Sequence, residues 1–125
     1  MKNSPGLFIA KKESTRQDLL ERVARARDYI SNNLQSNIDV KQLAETACLS
    51  EYHFIRTFGG TYGQTPYQFL LNQRIRKAEK MMAQKSYSLQ EISQACGFET
   101  VQTFRKCFKR VTGQSPSQFI REVTI

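Results

Sequence analysis

A repeat at a distance of fifty residues constrains the fold of this chain more than any other feature. Seven residues recur unchanged and in the same order, and two more return as near-equivalents. The first copy is Phe54, Phe58, Gly63, Gln64, Pro66, Gln68 and Phe69, and the second is Phe104, Phe108, Gly113, Gln114, Pro116, Gln118 and Phe119. These are mostly apolar, glycine and proline positions, which build a unit rather than a surface. The chain is therefore expected to contain one small supersecondary unit twice.

Each copy has the pattern of a short helix, a tight turn and a second helix. Asp39 and Ser88 are good N-cap residues, and the apolar side chains after each follow the spacing i, i+3, i+4, i+7. Gly63 and Gly113 suit the left-handed position that ends the second helix of each copy. No segment of the sequence shows the alternating pattern typical of a β-strand. The predicted fold class is all-α, with two helix-turn-helix units joined by a long linker helix, about seven helices in total.

Four segments follow from these patterns. Residues 1–15 are polar and are predicted to be a mobile N-terminal arm, and residues 16–65 form the first helix-turn-helix subdomain. Residues 66–85 read as one linker helix, and residues 86–125 form the second subdomain. The second helix of that subdomain is expected to bury four side chains, namely Phe104, Cys107, Phe108 and Val111.

Charge and cysteine content narrow the function. Nineteen basic against eleven acidic residues give a net charge of +8, which favours polyanions. No apolar run reaches the length of a membrane span and no secretory signal is visible, so a cytoplasmic protein is expected. The three cysteines fit no CxxC pattern, and with one histidine a zinc site is hard to assemble. Cys96 and Cys107 are expected to be buried thiols. No metal, no cofactor and no enzymatic activity are expected.

The stretch Gly97–Pro116 resembles the signature of the AraC/XylS family of bacterial transcriptional regulators. In the first copy, Leu43-Ala44, Ser50, Phe54, Arg56, Phe58 and Gly63 match the same family's pattern, and Arg74–Ala78 resembles the start of its linker helix. The resemblance covers residues 18–122, almost the whole chain. It implies sequence-specific binding of double-stranded DNA, with two recognition helices entering successive major-groove segments on one face of the duplex.

The resemblance favours an activator over a repressor and makes RNA polymerase a candidate partner. The two copies differ in sequence, so an asymmetric site bound by a monomer in the bacterial cytoplasm, at the nucleoid, is expected. Most members of the family carry a separate ligand-sensing domain, whereas this chain resembles the short stand-alone members. If the chain is instead a fragment of a longer regulator, a sensor domain precedes it.

Within each recognition helix, the positions left outward by the buried side chains are the candidates for DNA contact. Candidates for reading bases are Tyr52, Ile55, Arg56, Val101, Gln102, Thr103, Arg105 and Lys106. Candidates for contacting phosphates are His53, Gln68, Arg76, Lys77, Lys109, Arg110 and Gln118. Arg74 is expected either to contact DNA or to form hydrogen bonds within the fold.

One feature departs from the resemblance. Gly59-Gly60 occupies a part of the helix that is usually rich in Lys or Arg in this family, and the pair is expected to serve either packing or a close approach to DNA. Two other functions stay open on charge and helicity alone. A nonspecific basic architectural binder would show no sequence preference, and a protein–protein module would not need Arg105 and Lys106.

Overall fold

The protein is described by a computed structural model that covers the backbone of residues 5–123 and the side chains of residues 15–123. Within that part of the chain the structure is helical and has no strand. The seven helices are α1 (Pro5–Asn32), α2 (Val40–Thr46), α3 (Glu51–Tyr62), α4 (Pro66–Gln84), α5 (Leu89–Ala95), α6 (Val101–Thr112) and α7 (Pro116–Val123). The all-α prediction and the number of helices are confirmed.

Helix α1 begins earlier than the sequence pattern indicates. It starts at Pro5, whereas the amphipathic pattern begins only at Arg16, so the backbone of residues 5–15 is helical. Proline is favoured at the first helical position, and the following lysines and glutamate are good helix formers. Residues 1–4 lie outside the described residues, and the mobility of the N-terminal segment stays a prediction.

The chain divides into two compact units, and the division differs from the predicted boundaries. The first unit holds α1 up to Ile30 together with Ile38–Pro66, and the second holds Ser31–Asn37 together with the chain from Tyr67 onward. The end of α1 and most of the α1–α2 loop, residues 31–37, were predicted to belong to the first subdomain and are part of the second unit. Helix α4 also belongs to the second unit from Tyr67 on.

Arg74 explains why the α1–α2 loop belongs to the second unit. Its Nε donates to the carbonyl oxygen of Leu34 at 2.8 Å, and a terminal guanidinium nitrogen donates to that of Ser36 at 3.1 Å. The guanidinium also lies over the ring of Phe98, 5.7 Å from its centroid. Burial lowers the pKa of Arg74 below its ordinary value. Of its two expected roles, hydrogen bonding within the fold is the one observed.

The two turns share one hydrogen-bond pattern but differ in length. In the first turn the amides of Cys48 and Leu49 donate back to the end of α2, and in the second Gly97 and Phe98 donate in the same way to α5. Cys48 adopts the left-handed conformation at φ 59° and Gly97 at φ 95°. A Cβ at Gly97 would collide with the carbonyl of Leu34, so this turn requires glycine. The second turn is one residue longer than the first.

The core of the second unit forms around the aromatic side chains of α6. Phe104 packs at 5.4 Å from Phe98 and at 5.7 Å from Phe108, centroid to centroid. Cys107 is buried with them, as predicted. Val111 was expected to be buried as well, and that prediction is wrong, since the side chain is 38% exposed. Val111 lies in the last turn of α6, where the buried side of the helix becomes partly open to solvent.

Candidate nucleic-acid interface

The outer face of α6 carries a continuous row of polar and basic side chains. Thr100 caps the helix by accepting from the amide of Thr103, which fixes where the exposed face begins. Gln102, Arg105 and Lys106 are exposed on this face, while Phe104, Cys107 and Phe108 anchor the opposite side in the core. Their predicted placement on the outside is therefore confirmed, and contact with bases stays a prediction. Of the other two candidates, Thr103 is exposed and Val101 is half-buried.

The C-terminal half of α6 borders an open groove of about 630 Å³, here called the basic groove. One wall belongs to α6 and the other to the first turn of α7. Its lining residues are Arg105, Lys106, Lys109, Arg110, Ser115, Pro116 and Ser117. Four cations and no carboxylate line it, so its walls attract anions. A helix N-terminus on the second wall adds to that positive potential.

Two buried thiols lie behind this face. Burial raises the pKa of Cys96 to about 11. Burial also raises the pKa of Cys107, and the nearby guanidinium of Arg110, 3.9 Å from its sulfur, lowers it in part. Both thiols are therefore protonated near neutral pH and pack as apolar groups. The sequence-based prediction of two buried thiols is confirmed, while Cys48 is exposed.

Helix α3 presents a different surface in the first unit. Ser50 caps it by accepting from the amide of His53, and Phe54 and Phe58 are fully buried. Tyr52 is 72% exposed, Ile55 is 40% exposed and Arg56 is exposed, so these three base-reading candidates lie on the outside as predicted. The terminal nitrogen Nη1 of Arg56 donates to the hydroxyl oxygen of Tyr52 at 2.8 Å. This pair was not foreseen from the sequence.

The glycine pair of α3 is helical and unpacked. A Cβ added at Gly59 or Gly60 would meet no atom within 4 Å, so neither glycine is required by packing against the described residues. In the repeat these positions correspond to Lys109 and Arg110 of α6. At the end of its outer face α6 carries two cations, whereas the two equivalent positions of α3 carry no side chain. The two helices therefore have unequal electrostatic surfaces.

The phosphate-contact candidates fall into two groups. His53, Gln68, Arg76, Lys109, Arg110 and Gln118 are exposed, whereas Lys77 is half-buried. The ammonium of Lys77 donates to the carbonyl of Ala95 at 2.8 Å, so it stabilises the C-terminal end of α5 within the fold. The side-chain oxygen of Gln118 accepts from the amide of Ser115 at 2.8 Å and so belongs to the cap of α7. DNA contact by these residues stays a prediction.

The family model for a helix-turn-helix domain matches residues 43–122, which span both turns. The arabinose operon regulatory protein of Escherichia coli is 31% identical over 108 residues, covering 86% of this chain and 37% of that protein. The chain belongs to the AraC/XylS family. Of its other relatives, the probable transcriptional regulator LumQ of Photobacterium leiognathi is 33% identical over 92 residues, 74% of this chain and 37% of LumQ.

A solved AraC/XylS-type relative supports the fold. The DNA-binding domain of the global transcriptional factor AdpA, in complex with a target DNA, is 30% identical with a TM-score of 0.75, and the match covers 80% of this chain and 90% of that one. This chain spans about a third of the length of the curated relatives it matches, 37% of LumQ and 37% of the arabinose regulator. The family relationship therefore applies to the helix-turn-helix region.

The AraC/XylS resemblance did not indicate two features of the surface. Ser115 and Ser117 line the basic groove because α7 starts beside α6, and the only sequence signal was the Ser-Pro that opens α7. The i, i+4 spacing of Tyr52 and Arg56 could have indicated their contact, because residues four apart lie side by side on a helix. In the described part of the chain, no group of three or more His, Cys, Asp and Glu could hold a metal ion. None of the described helices is long and apolar enough to cross a membrane.

Proposed function

We propose that this chain is a sequence-specific regulator of transcription that binds double-stranded DNA through α3 and α6. Each of these helices would enter the major groove, in successive segments of one site. The observation that carries the proposal is the exposed face of α6, where Gln102 and Arg105 present hydrogen-bonding groups that suit adenine and guanine. Membership of the AraC/XylS family and the DNA-bound AdpA domain support it.

Because the surfaces of α3 and α6 differ, the two helices would make different kinds of contact with DNA. The cations lining the basic groove would contact phosphates and supply salt-dependent affinity. Tyr52 and Ile55 on α3 would supply apolar contacts, for example with thymine methyl groups. Because the two helices differ at their outer positions, the site would be asymmetric and a monomer would suffice to bind it.

The protein would act as an activator at bacterial promoters, with RNA polymerase as its partner and without catalysis of its own. It would lie in the cytoplasm, at the nucleoid when bound. Since the chain spans about a third of its curated relatives, the same region would also serve as the DNA-binding part of a longer, ligand-sensing regulator.

Selection of bound sites from a random DNA library, followed by competition between selected and random duplexes across a salt series, tests this proposal. We expect a selected asymmetric site to compete at least about a thousandfold better than random DNA at physiological salt. The preference should persist as salt rises, because nonspecific affinity is almost entirely electrostatic. Equal competition by random DNA at every salt concentration would refute sequence-specific binding and leave a basic architectural binder.

A further inference from the structure

The hydrogen bond between Tyr52 and Arg56 organises a side chain that would otherwise be mobile. Both residues lie one helical turn apart on the exposed face of α3, and Nη1 of Arg56 donates to the tyrosine hydroxyl at 2.8 Å. An exposed arginine has much rotamer freedom, which it loses when it binds. The tyrosine ring is rigid and turns about only two side-chain bonds, so its hydroxyl is an acceptor with few alternative positions on the helix surface.

Tyr52 is the residue that forms a hydrogen bond with the side chain of Arg56. No other hydrogen bond or ion pair joins either side chain to the described residues. One turn further along the helix, Gly59 and Gly60 carry no side chains, and a Cβ there would meet nothing within 4 Å. These two positions therefore supply no cation beside Arg56. Its counterpart in the repeat, Lys106, lines the basic groove beside Lys109 and Arg110 instead.

The geometry points to Tyr52 as a positioning residue that holds Arg56 for recognition of a guanine. The guanidinium has five N–H donors, and the bond to Tyr52 uses one of them. The nitrogens that remain can donate two parallel hydrogen bonds to O6 and N7 of guanine, which is the commonest specific contact in the major groove. The glycines beyond Arg56 clear the space that the DNA edge needs for that approach. This inference rests on the proposed function and adds how the first unit achieves specificity.

An arrangement of this kind differs from that of α6. In the second unit the residue equivalent to Tyr52 is Gln102, and no hydrogen bond joins it to Lys106 among the described side chains. The first unit thus offers one preorganised donor, and the second offers several independent cations. Preorganisation lowers the entropic cost of a contact and favours the one base geometry that matches it.

The test uses the selected duplex, together with a set in which each base pair is changed in turn, and compares wild-type protein with Y52F, R56A and the double variant. Phenylalanine keeps the ring and removes only the acceptor. We expect Arg56→Ala to abolish discrimination at one G·C pair, and Tyr52→Phe to reduce discrimination at that same pair about two- to tenfold. The double variant should match Arg56→Ala. Discrimination elsewhere and the dependence of affinity on salt should stay unchanged.

The matched control is Tyr87→Phe, which removes the hydroxyl of another exposed tyrosine, in the loop between α4 and α5. It should leave every base preference unchanged. If Tyr52→Phe lowers affinity for all sequences alike, or leaves the Arg56-dependent pair unaffected, Tyr52 does not position Arg56. A wild-type protein without any base preference would instead refute the proposed function, so the two failures are distinguishable. Thermal unfolding of Y52F should match the wild type, since Tyr52 is on the surface.

Discussion

At the residue scale, Arg74 shows what the sequence indicated and what it left open. Its position in the linker-helix motif marked it as either a DNA contact or an internal donor. Only the structure identifies its partners, because the carbonyls of Leu34 and Ser36 lie 40 and 38 residues earlier in the chain. Every residue has a backbone carbonyl, so the sequence does not show which carbonyls accept a hydrogen bond from a distant side chain. Gly97 belongs to the same arrangement, since its missing Cβ lets the loop approach.

Replacing Arg74 with methionine should destabilise the second unit. The change removes charged donors from two carbonyls, and hydrogen bonds to charged groups contribute about 1.5–3 kcal/mol each. Because the bond to Ser36 is exposed and only the bond to Leu34 is partly buried, we expect less than the sum of the two, a loss of about 2–4 kcal/mol in the free energy of unfolding. Arg76→Met is the matched control, because Arg76 lies on the same helix and is exposed. Urea unfolding measures both. Equal stabilities of the two variants would show that the contacts of Arg74 contribute nothing.

At the element scale, helix boundaries and caps were predictable because their signals are local. Ser88 caps α5 as predicted and forms a capping box with Glu91, and Gly113 ends α6 in the left-handed conformation. The exposure of Val111 was not predictable, since it depends on where the unit ends rather than on helical periodicity. The role of the two glycines in α3 was equally open, because a glycine in a sequence does not reveal which atoms surround it.

Replacing Gly60 with alanine should stabilise α3. The position is helical and an added Cβ would meet no atom within 4 Å. The change in the free energy of unfolding is therefore set by intrinsic helix propensity, which favours alanine over glycine by about 1 kcal/mol. Thermal or urea unfolding measures the change. Gly113→Ala is the matched control with the opposite sign, because Gly113 has φ 85° and an L side chain is strained there. A destabilised G60A variant would contradict the open surroundings of that position.

At the scale of the whole molecule, the fifty-residue repeat gave the number of units and their outward faces but not their exact boundaries. Residues 31–37 belong to the second unit although they comprise the end of α1 and part of the loop between two helices of the first. A boundary of this kind depends on contacts between distant segments, which periodicity does not record. The difference between the two recognition helices was readable from the sequence, since it lies in exposed residues at equivalent repeat positions.

Two unequal helices, α3 and α6, would each read one half of an asymmetric DNA site under the proposed function. The most direct measurement is the affinity of Q102A, R105A, R56A and K109A for the selected duplex and for every single-base-pair change of it. We expect Gln102→Ala and Arg105→Ala to flatten preference in one half-site, and Arg56→Ala in the other. Lys109→Ala should weaken all sequences alike and reduce the salt dependence by about one counterion. If all four variants weaken every sequence equally, α3 and α6 do not read bases and the claim is wrong.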